Sequence, residues 1–389
     1  MEESFRLGRV AGIPVGINWS VLLIAWLLSW SLASHRFPTS YPGYGTGAYW
    51  AAGVIAAVVF LASLLAHELG HAFVARRHGV RVEGITLWLF GGVARLGGEA
   101  ATPGAELRIA AVGPGVSVGL AGLFGATALA LDAFGASALV VGSAVWLATI
   151  NGILAVFNMV PAAPLDGGRV LRAYLWRRSG NRLQATVAAA NAGRFFGFVL
   201  IGLGVVEFAA GAGLGGLWFV FLGWFLLNAA KAEQAQALMR DALAGVRVRD
   251  VMTPDPTIAA DHFSVGEFLE AYVMRYRWSA FPLSGPDGSI TGLVTLTHLK
   301  AVPAEQRDVT QVRDIACPIA EVTVADPDEA ITDVLERLST CKERRVLVFS
   351  ADHLVGIVSP TDVMRMIEVA TLGTRRNSTG PATSAGLPS

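Results

Sequence analysis

The five residues His67-Glu68-Leu69-Gly70-His71 place two imidazoles and a carboxylate close together. On an α-helix, side chains four residues apart share a face and lie about 6 Å apart along the axis, so both histidines can reach one metal ion. Zinc lowers the pKa of its bound water to about 7, and a neighbouring carboxylate can take the proton and hand it to a leaving amine. The pattern therefore predicts a zinc site with Glu68 as its general base.

This motif lies in an apolar segment, because residues 49–73 read YWAAGVIAAVVFLASLLAHELGHAF. An ionisable side chain is costly in lipid unless it is paired or functional. Hydrophobic residues make up 53% of the chain and charged residues 15%, and the mean hydropathy is +0.52, well above that of an ordinary soluble protein. The composition thus predicts a membrane protein and favours a functional metal site over a chance match.

The hydrophobic residues are unevenly distributed along the chain. Up to about Lys231 the sequence contains apolar runs of roughly 20 residues, the length that a helix needs to cross a bilayer. Beyond that point, charges return at ordinary density. We predict an α-helical polytopic domain over residues 1–235, followed by a soluble α/β region. The six predicted spans are 15–34, 50–77, 106–131, 138–160, 186–210 and 214–230.

The basic residues indicate the orientation of these spans. They fall almost entirely on alternate connections, and the opposite side has little beyond Arg36; those on the first side are Arg6, Arg9, Arg76, Arg77, Arg81, Arg95, Arg169, Arg172, Arg177, Arg178, Arg182 and Lys231. The positive-inside rule then predicts a multi-pass cell-membrane protein with both termini and the C-terminal region in the cytoplasm. Cys317 and Cys341 fit two thiols in a reducing compartment. The net charge is zero and no basic run is interleaved with aromatics, so we expect no nucleic-acid partner.

A β-hairpin is predicted between the second and third spans, where residues 82–96 read VEGITLWLFGGVARL. The β-branched and aromatic residues around Gly91-Gly92 favour a hairpin or re-entrant strand pair, although a cytoplasmic turn is an alternative. Strand edges at membrane depth must be shielded by protein or line a wet cavity. An unpaired edge there could pair with an extended peptide.

A catalytic zinc normally has three protein ligands, so one more is needed. Asp166 follows Asn158-Met-Val-Pro161-Ala-Ala-Pro164 at the end of the fourth span, where prolines break the helix and Gly167-Gly168 frees the backbone. The predicted topology puts it at the same depth as the two histidines. A helix cap at the membrane rim is the alternative. Asn158 could donate to a developing oxyanion or stabilise the helix bundle.

Together, HELGH and the later N-x-x-P-x-x-P-L-D-G-G resemble the site-2 protease family of intramembrane zinc metalloproteases, over about the first 230 residues. The resemblance implies that His67, His71 and Asp166 bind one Zn²⁺ and that Glu68 activates water. It also implies single-span membrane proteins as substrates, such as anti-sigma factors, cleaved in regulated intramembrane proteolysis. One departure is Asn18, at a position where the family often has histidine.

Two similar units follow, and each resembles a CBS domain, at residues 245–303 and 308–370. The resemblance implies binding of ATP, ADP or AMP, with ribose contacts from Thr295 in the first unit and from Ser359 and Asp362 in the second. In the first unit His298 replaces the expected aspartate. A dimerisation module without a ligand is the alternative, and a homodimer through these units is expected. Residues 371–389 lack apolar periodicity and are predicted to be disordered.

A second class of function is a CBS-gated ion channel or transporter, in which the intramembrane histidines and aspartate would bind the permeating ion. The two hypotheses differ in their use of Glu68. An ion site needs ligands, but it has no need of a base beside the metal. Glu68 therefore favours the peptidase.

Overall fold

In the computed structural model, which describes residues 4–88, 91–211, 214–338 and 344–378, the chain forms two compact units. The first unit comprises Met1–Ala237 and the second Leu238–Ser389. The break falls close to the point at which the hydropathy of the sequence changes. Each unit has its own core, and each is described separately below.

The first unit is mostly helical with a small sheet. Its elements, in chain order, are β1 (Phe5–Val10), β2 (Ile13–Ile17), α1 (Ser20–Ser31), a π-helical turn (Leu32–Arg36), α2 (Phe37–Ser40), α3 (Thr46–Arg77), β3 (Val82–Trp88), β4 (Gly91–Leu96), α4 (Pro103–Ala133), α5 (Ala138–Asn158), α6 (Asp166–Ser179), α7 (Arg182–Ala209) and α8 (Leu214–Ala242).

Five helices among the described residues are long and apolar enough to cross a membrane: α3, α4, α5, α7 and α8. They correspond to the second to sixth predicted spans, which confirms the helical membrane fold. The first predicted span differs, because residues 15–17 belong to β2 and the helix begins at Ser20. Helix α1 has 12 residues, and the π turn and α2 continue the helical segment to Ser40. Because neither α1 nor α2 alone has the length of a membrane span, the crossing by this segment stays a prediction.

A four-stranded sheet with the order β1-β2-β3-β4 accompanies the helices. Strands β3 and β4 pair in antiparallel register from Val82 with Leu96 to Trp88 with Gly91, which confirms the predicted hairpin. Residues 89–90 at its tip lie outside the described part of the chain. The pairing of β2 with β3 is parallel, and the N-terminal hairpin β1-β2 was not expected from the sequence. Among the described strands, β4 pairs only with β3 and forms an edge of the sheet.

Helix α6 interrupts the series of long helices with 14 residues rich in arginine. It begins directly after the proline-containing loop and ends before Gly180, whose φ of 70° is the left-handed conformation that commonly ends helices. Gly167, Gly168 and Ala173 are its buried residues, so small side chains let it pack closely. The sequence placed these arginines in a cytoplasmic connection and did not predict this helix.

The second unit contains short helices and two four-stranded sheets. Its elements are α9 (Val248–Val251), β5 (Thr253–Pro254), β6 (Ala259–Ala260), α10 (Val265–Phe268), α11 (Met274–Tyr276), β7 (Ala280–Ser284), β8 (Ile290–Thr295), α12 (Leu296–Ala301), α13 (Val312–Ile315), β9 (Cys317–Pro318), β10 (Thr323–Ala325), α14 (Ile331–Leu338), β11 (Val346–Ser350), β12 (His353–Val358) and α15 (Pro360–Ser378). Cys341 lies outside the described residues.

The two repeats exchange their first strands. The sheets have the orders β6-β7-β8-β9 and β10-β11-β12-β5, so β5 joins the second repeat and β9 joins the first. Each sheet covers an apolar core, one around Phe268 and Phe281 and the other around Ile331 and Val348. The repeats therefore fold as one interlocked pair.

The last helix extends past the predicted end of the second CBS unit. Helix α15 runs from Pro360 to Ser378, and the disorder of the tail stays a prediction. Once a helix is nucleated, each further residue adds a hydrogen bond, and the polar sequence TLGTRRNS contains no proline to stop it. Residues 379–389 lie outside the described part of the chain.

Candidate metal centre

Two helices carry the three predicted ligands, His67 and His71 on α3 and Asp166 at the start of α6. Asp166 Oδ2 lies 3.2 Å from His67 Nε2 and 3.1 Å from His71 Nε2, and the two Nε2 atoms are 3.2 Å apart. Ligands about 2.0–2.1 Å from a tetrahedral zinc ion are about 3.3 Å from one another. The three donor atoms therefore fit a single zinc ion, with one coordination position left for water.

Helix α4 orients both imidazoles through their other ring nitrogens. His71 Nδ1 donates a hydrogen bond of 2.6 Å to the carbonyl oxygen of Ile109, which leaves Nε2 as the acceptor nitrogen. His67 Nδ1 lies 2.9 Å from the Ser117 hydroxyl, which is fully buried. Partners of this kind hold the ligating tautomer and orientation of zinc-binding histidines. Both rings thus present Nε2 to the same point.

The same helix leaves room for a metal at Gly113. A methyl group at this position would overlap the Nε2 atoms of both His67 and His71. Gly113 lies between the two residues that orient the rings, in the run Gly113-Pro-Gly-Val-Ser117. Sequence reasoning did not identify Gly113, Ile109 or Ser117, although this cluster of small residues in an apolar span was a visible signal of close packing.

Asp166 is held in place by a tightly packed loop after α5. A Cβ atom at Gly167 or Gly168 would collide with the backbone of this loop. The loop is also tied to α7, because the N–H of Ala163 donates a hydrogen bond of 3.2 Å to the carbonyl oxygen of Ala189. Neither glycine has a positive φ, so the reason for them is space, not the backbone freedom expected from the sequence. The helix-cap alternative is not supported, because the carboxylate turns toward both imidazoles.

Glu68 lies beside the edge of the sheet. A Cβ at Gly92 of β4 would overlap the Cγ and Cδ atoms of Glu68. The glycine therefore lets the strand approach the carboxylate that the sequence predicted as the general base. This contact brings β4, the edge strand of the described sheet, next to the metal ligands.

Comparisons with known proteins identify the family. Residues 55–137 and 132–203 match peptidase family M50. The chain is 50% identical over 370 residues to the Mycobacterium tuberculosis protein Rip3, described as a zinc metalloprotease, across 95% of this chain and 94% of the relative. This chain belongs to peptidase family M50. Residues 248–305 and 312–369 of the peptidase match the CBS domain.

Two more distant proteins are also similar to this chain. A zinc metalloprotease of Synechocystis is 29% identical over 374 residues, covering 95% of this peptidase and 97% of the relative. The solved site-2 protease of Methanocaldococcus jannaschii is 26% identical and covers 59% of this chain and 94% of its own, with a TM-score of 0.40. The protein is a zinc metalloprotease of the site-2 protease family with tandem CBS domains, and the channel or transporter alternative is not supported.

Two asparagines from the sequence analysis lie outside the ligand cluster. Asn158 is the last residue of α5 and is partly buried, so its contact with an oxyanion stays a prediction. Asn18 lies between β2 and α1, where its Oδ1 accepts a hydrogen bond of 3.1 Å from the N–H of Ser20. At the position where the family often has histidine, the peptidase thus has a residue that supports the first turn of α1.

The CBS positions are arranged differently in the two repeats. Asp362 accepts hydrogen bonds from the N–H and hydroxyl of Ser359, at 2.8 and 2.6 Å, and from the hydroxyl of Thr253 at 3.2 Å. Thr253 comes from the exchanged strand β5, and the sequence did not predict its proximity. In the first repeat, the N–H of Thr295 donates to His298 Nδ1 at 3.4 Å. His298 thus accepts from the backbone of Thr295 in the first repeat, as Asp362 accepts from the backbone of Ser359 in the second.

Proposed function

We propose that this peptidase hydrolyses a peptide bond in or near the transmembrane segment of a single-span membrane protein. His67, His71 and Asp166 are the proposed zinc ligands and Glu68 the proposed general base. The observation that carries this proposal is the convergence of two Nε2 atoms and one carboxylate oxygen within 3.2 Å of one another, beside a space that only glycine leaves open.

The residues of the chain divide the chemistry among them. A zinc ion held by His67, His71 and Asp166 would polarise the substrate carbonyl and lower the pKa of the water bound to it. Glu68 takes a proton from the attacking water and delivers it to the amide nitrogen that leaves, as in other H-E-x-x-H peptidases. Asn158 donates a hydrogen bond to the carbonyl oxygen as negative charge develops on it.

The sheet edge supports an extended substrate. A transmembrane helix satisfies its own backbone, so it must unwind locally before a peptide bond can reach the site. An unwound segment can recover hydrogen bonds by adding as a strand to an exposed edge. Strand β4 is the edge strand of the described sheet and lies against Glu68. Membrane-held regulators such as anti-sigma factors are the proposed substrate class.

Two substitutions of a carboxylate by an amide test the assignment. Glu68→Gln should retain zinc and lose cleavage of a reconstituted single-span substrate, because the ligands remain but the base is gone. Asp166→Asn should lower the zinc content of the purified protein, because a neutral amide is a weaker ligand. Unchanged cleavage by Glu68→Gln would remove it from the mechanism, and unchanged zinc stoichiometry in Asp166→Asn would remove it from the ligand set.

We also propose that both termini and the CBS unit face the cytoplasm of a multi-pass membrane protein. The support is the basic residues in alternate connections, of which the arginines of α6 are one cluster. Fusions of a reporter active only in the cytoplasm to the C-terminus of the full chain would show the orientation. Activity of a periplasm-specific reporter at the same position would contradict it.

The CBS pair is proposed to bind an adenine nucleotide and to modulate cleavage, and to form a homodimer of the full chain. The support for nucleotide binding is the hydroxyl and carboxylate pair Ser359 and Asp362 at the start of α15. Light scattering of the detergent-solubilised protein would give the mass of the assembly. A mass of one chain at working concentration would exclude the homodimer.

A further inference from the structure

A partly buried ion bridge joins three helices of the membrane unit. Arg172 of α6 forms an ion pair with Glu106 of α4, and its Nη1 donates to Glu233 Oε1 of α8 at 2.9 Å. The Glu106 side chain is 1% exposed, that of Arg172 11% and that of Glu233 24%. One guanidinium thus holds two carboxylates from different helices.

Stability alone does not account for this bridge. Removing charges from water is costly, and buried ion pairs are often no more stabilising than well-packed apolar residues of similar size. The second oxygen of Glu106 is buried without a hydrogen-bond partner among the described residues, which adds to the cost. What a buried bridge can add is a fixed register between the helices that it joins.

This bridge joins the helices that position the metal ligands. Arg172 lies six residues after Asp166 on α6, which is about 9 Å along the helix. Glu106 lies three residues before Ile109 on α4, whose carbonyl orients His71. The bridge therefore connects the helix that begins with the third ligand to the helix that orients the two histidines.

We propose that Arg172 is a positioning residue, which sets Asp166 relative to His67 and His71 through its two carboxylate partners. The inference rests on the proposed zinc site. The planar guanidinium can serve two carboxylates in fixed directions, whereas the ammonium of lysine is a single point charge on a flexible stem. Arg172→Lys thus keeps the positive charge but loses the planar group that binds both carboxylates in fixed directions.

The test measures zinc affinity of the full-length protein by competition with a chelator. Arg172→Lys should bind zinc about 10-fold more weakly, at the low end of the 10–100-fold typical for partners that support metal ligands. Glu233→Gln removes one of the two ion pairs of Arg172 and leaves the pair with Glu106, so we expect zinc affinity to fall by only about 3-fold. Cleavage measured at limiting zinc should fall in step, and the deficit should shrink as free zinc is raised.

A matched control is Glu99→Gln, which replaces the carboxylate of the Glu99–Arg182 pair of 2.7 Å in the same unit and leaves all three residues of the bridge unchanged. It should leave zinc affinity unchanged. Wild-type zinc affinity in folded Arg172→Lys and Glu233→Gln would overturn the proposal, as would lower thermal stability without weaker zinc binding. If Arg172→Lys does not fold, Glu233→Gln decides alone. Failure of the proposed function would be seen separately, as wild-type protein that binds no zinc.

Discussion

At the scale of single residues, the space at Gly113 is as important to the metal centre as the ligands. We expect Gly113→Ala to lower zinc affinity by more than about 100-fold, beyond the range typical of changes to supporting residues. The reason is that the added methyl group would overlap Nε2 of both His67 and His71. Zinc content of the purified variant, measured by atomic emission, checks the prediction.

Gly119→Ala is the control for this substitution. Gly119 lies on the same helix, α4, and a Cβ there meets nothing within 4 Å. Both variants exchange the same residue types, so a general effect of alanine on the helix would appear in each. Equal zinc content in the two variants would show that Gly113 does not form the wall of the metal site.

The ligands could be predicted from the sequence, but the residues that support them could not. His67, Glu68 and His71 lie within one and a half turns of a helix, so spacing alone predicted their common site. Asp166 could be found from its own motif and the predicted depth. In contrast, Ser117 is 50 residues from His67 and the carbonyl of Ile109 is 38 residues from His71. A backbone carbonyl has no sequence signature, so helix packing was needed to find it.

At the scale of elements, β4 determines where Glu68 can lie. Gly92→Ala should lower kcat by about 10–100-fold with zinc content unchanged, because misplacing a reacting group by about 1 Å can cost 100-fold. The methyl group would meet Cγ and Cδ of Glu68, a flexible side chain that can move aside. Gly92 has no positive φ, so the strand itself accepts alanine. Cleavage rates at saturating substrate, per zinc-loaded molecule, measure the effect.

The comparison for this variant is Gly47→Ala, near the start of the helix that carries Glu68. A Cβ at Gly47 has no neighbour within 4 Å, so cleavage should be as in wild type. If Gly92→Ala cleaves at the wild-type rate, the strand does not constrain the base. If it instead loses zinc, the hairpin supports the ligands and not Glu68.

The long helices and the hairpin β3-β4 could be predicted, whereas the hairpin β1-β2 and helix α6 could not. Runs such as that of α3 are apolar over more than the length of a bilayer, which leaves few alternatives to a spanning helix. The hairpin β1-β2 consists of two strands of only six and five residues, and α6 carries arginines in a connection between apolar runs, so neither shows the strong pattern of a spanning helix. The first predicted span began too early because Ile13–Ile17 is apolar both as a strand and as the start of a helix.

At the scale of the whole molecule, the contrast between apolar and charged regions predicted a membrane-helical part and a soluble part, and the structure has two compact units. The exchange of β5 and β9 between the repeats was not predictable, since a pairing of two residues per strand has no hydrophobic periodicity. It matters for function, because the exchange brings Thr253 of the first repeat to Asp362 of the second. A nucleotide in the second repeat would therefore meet residues from both.

This arrangement predicts that ATP, ADP or AMP binds to the second repeat and changes the cleavage rate. Ser359→Ala should weaken binding about 3–10-fold, as expected for the loss of one hydrogen bond. Calorimetric titration of the full-length protein measures the affinity, and cleavage with and without nucleotide measures the regulation. Ser289→Ala, which removes an exposed hydroxyl bonded to Asp287, is the control and should bind as wild type. No binding of any of the three nucleotides would instead favour a purely structural CBS pair.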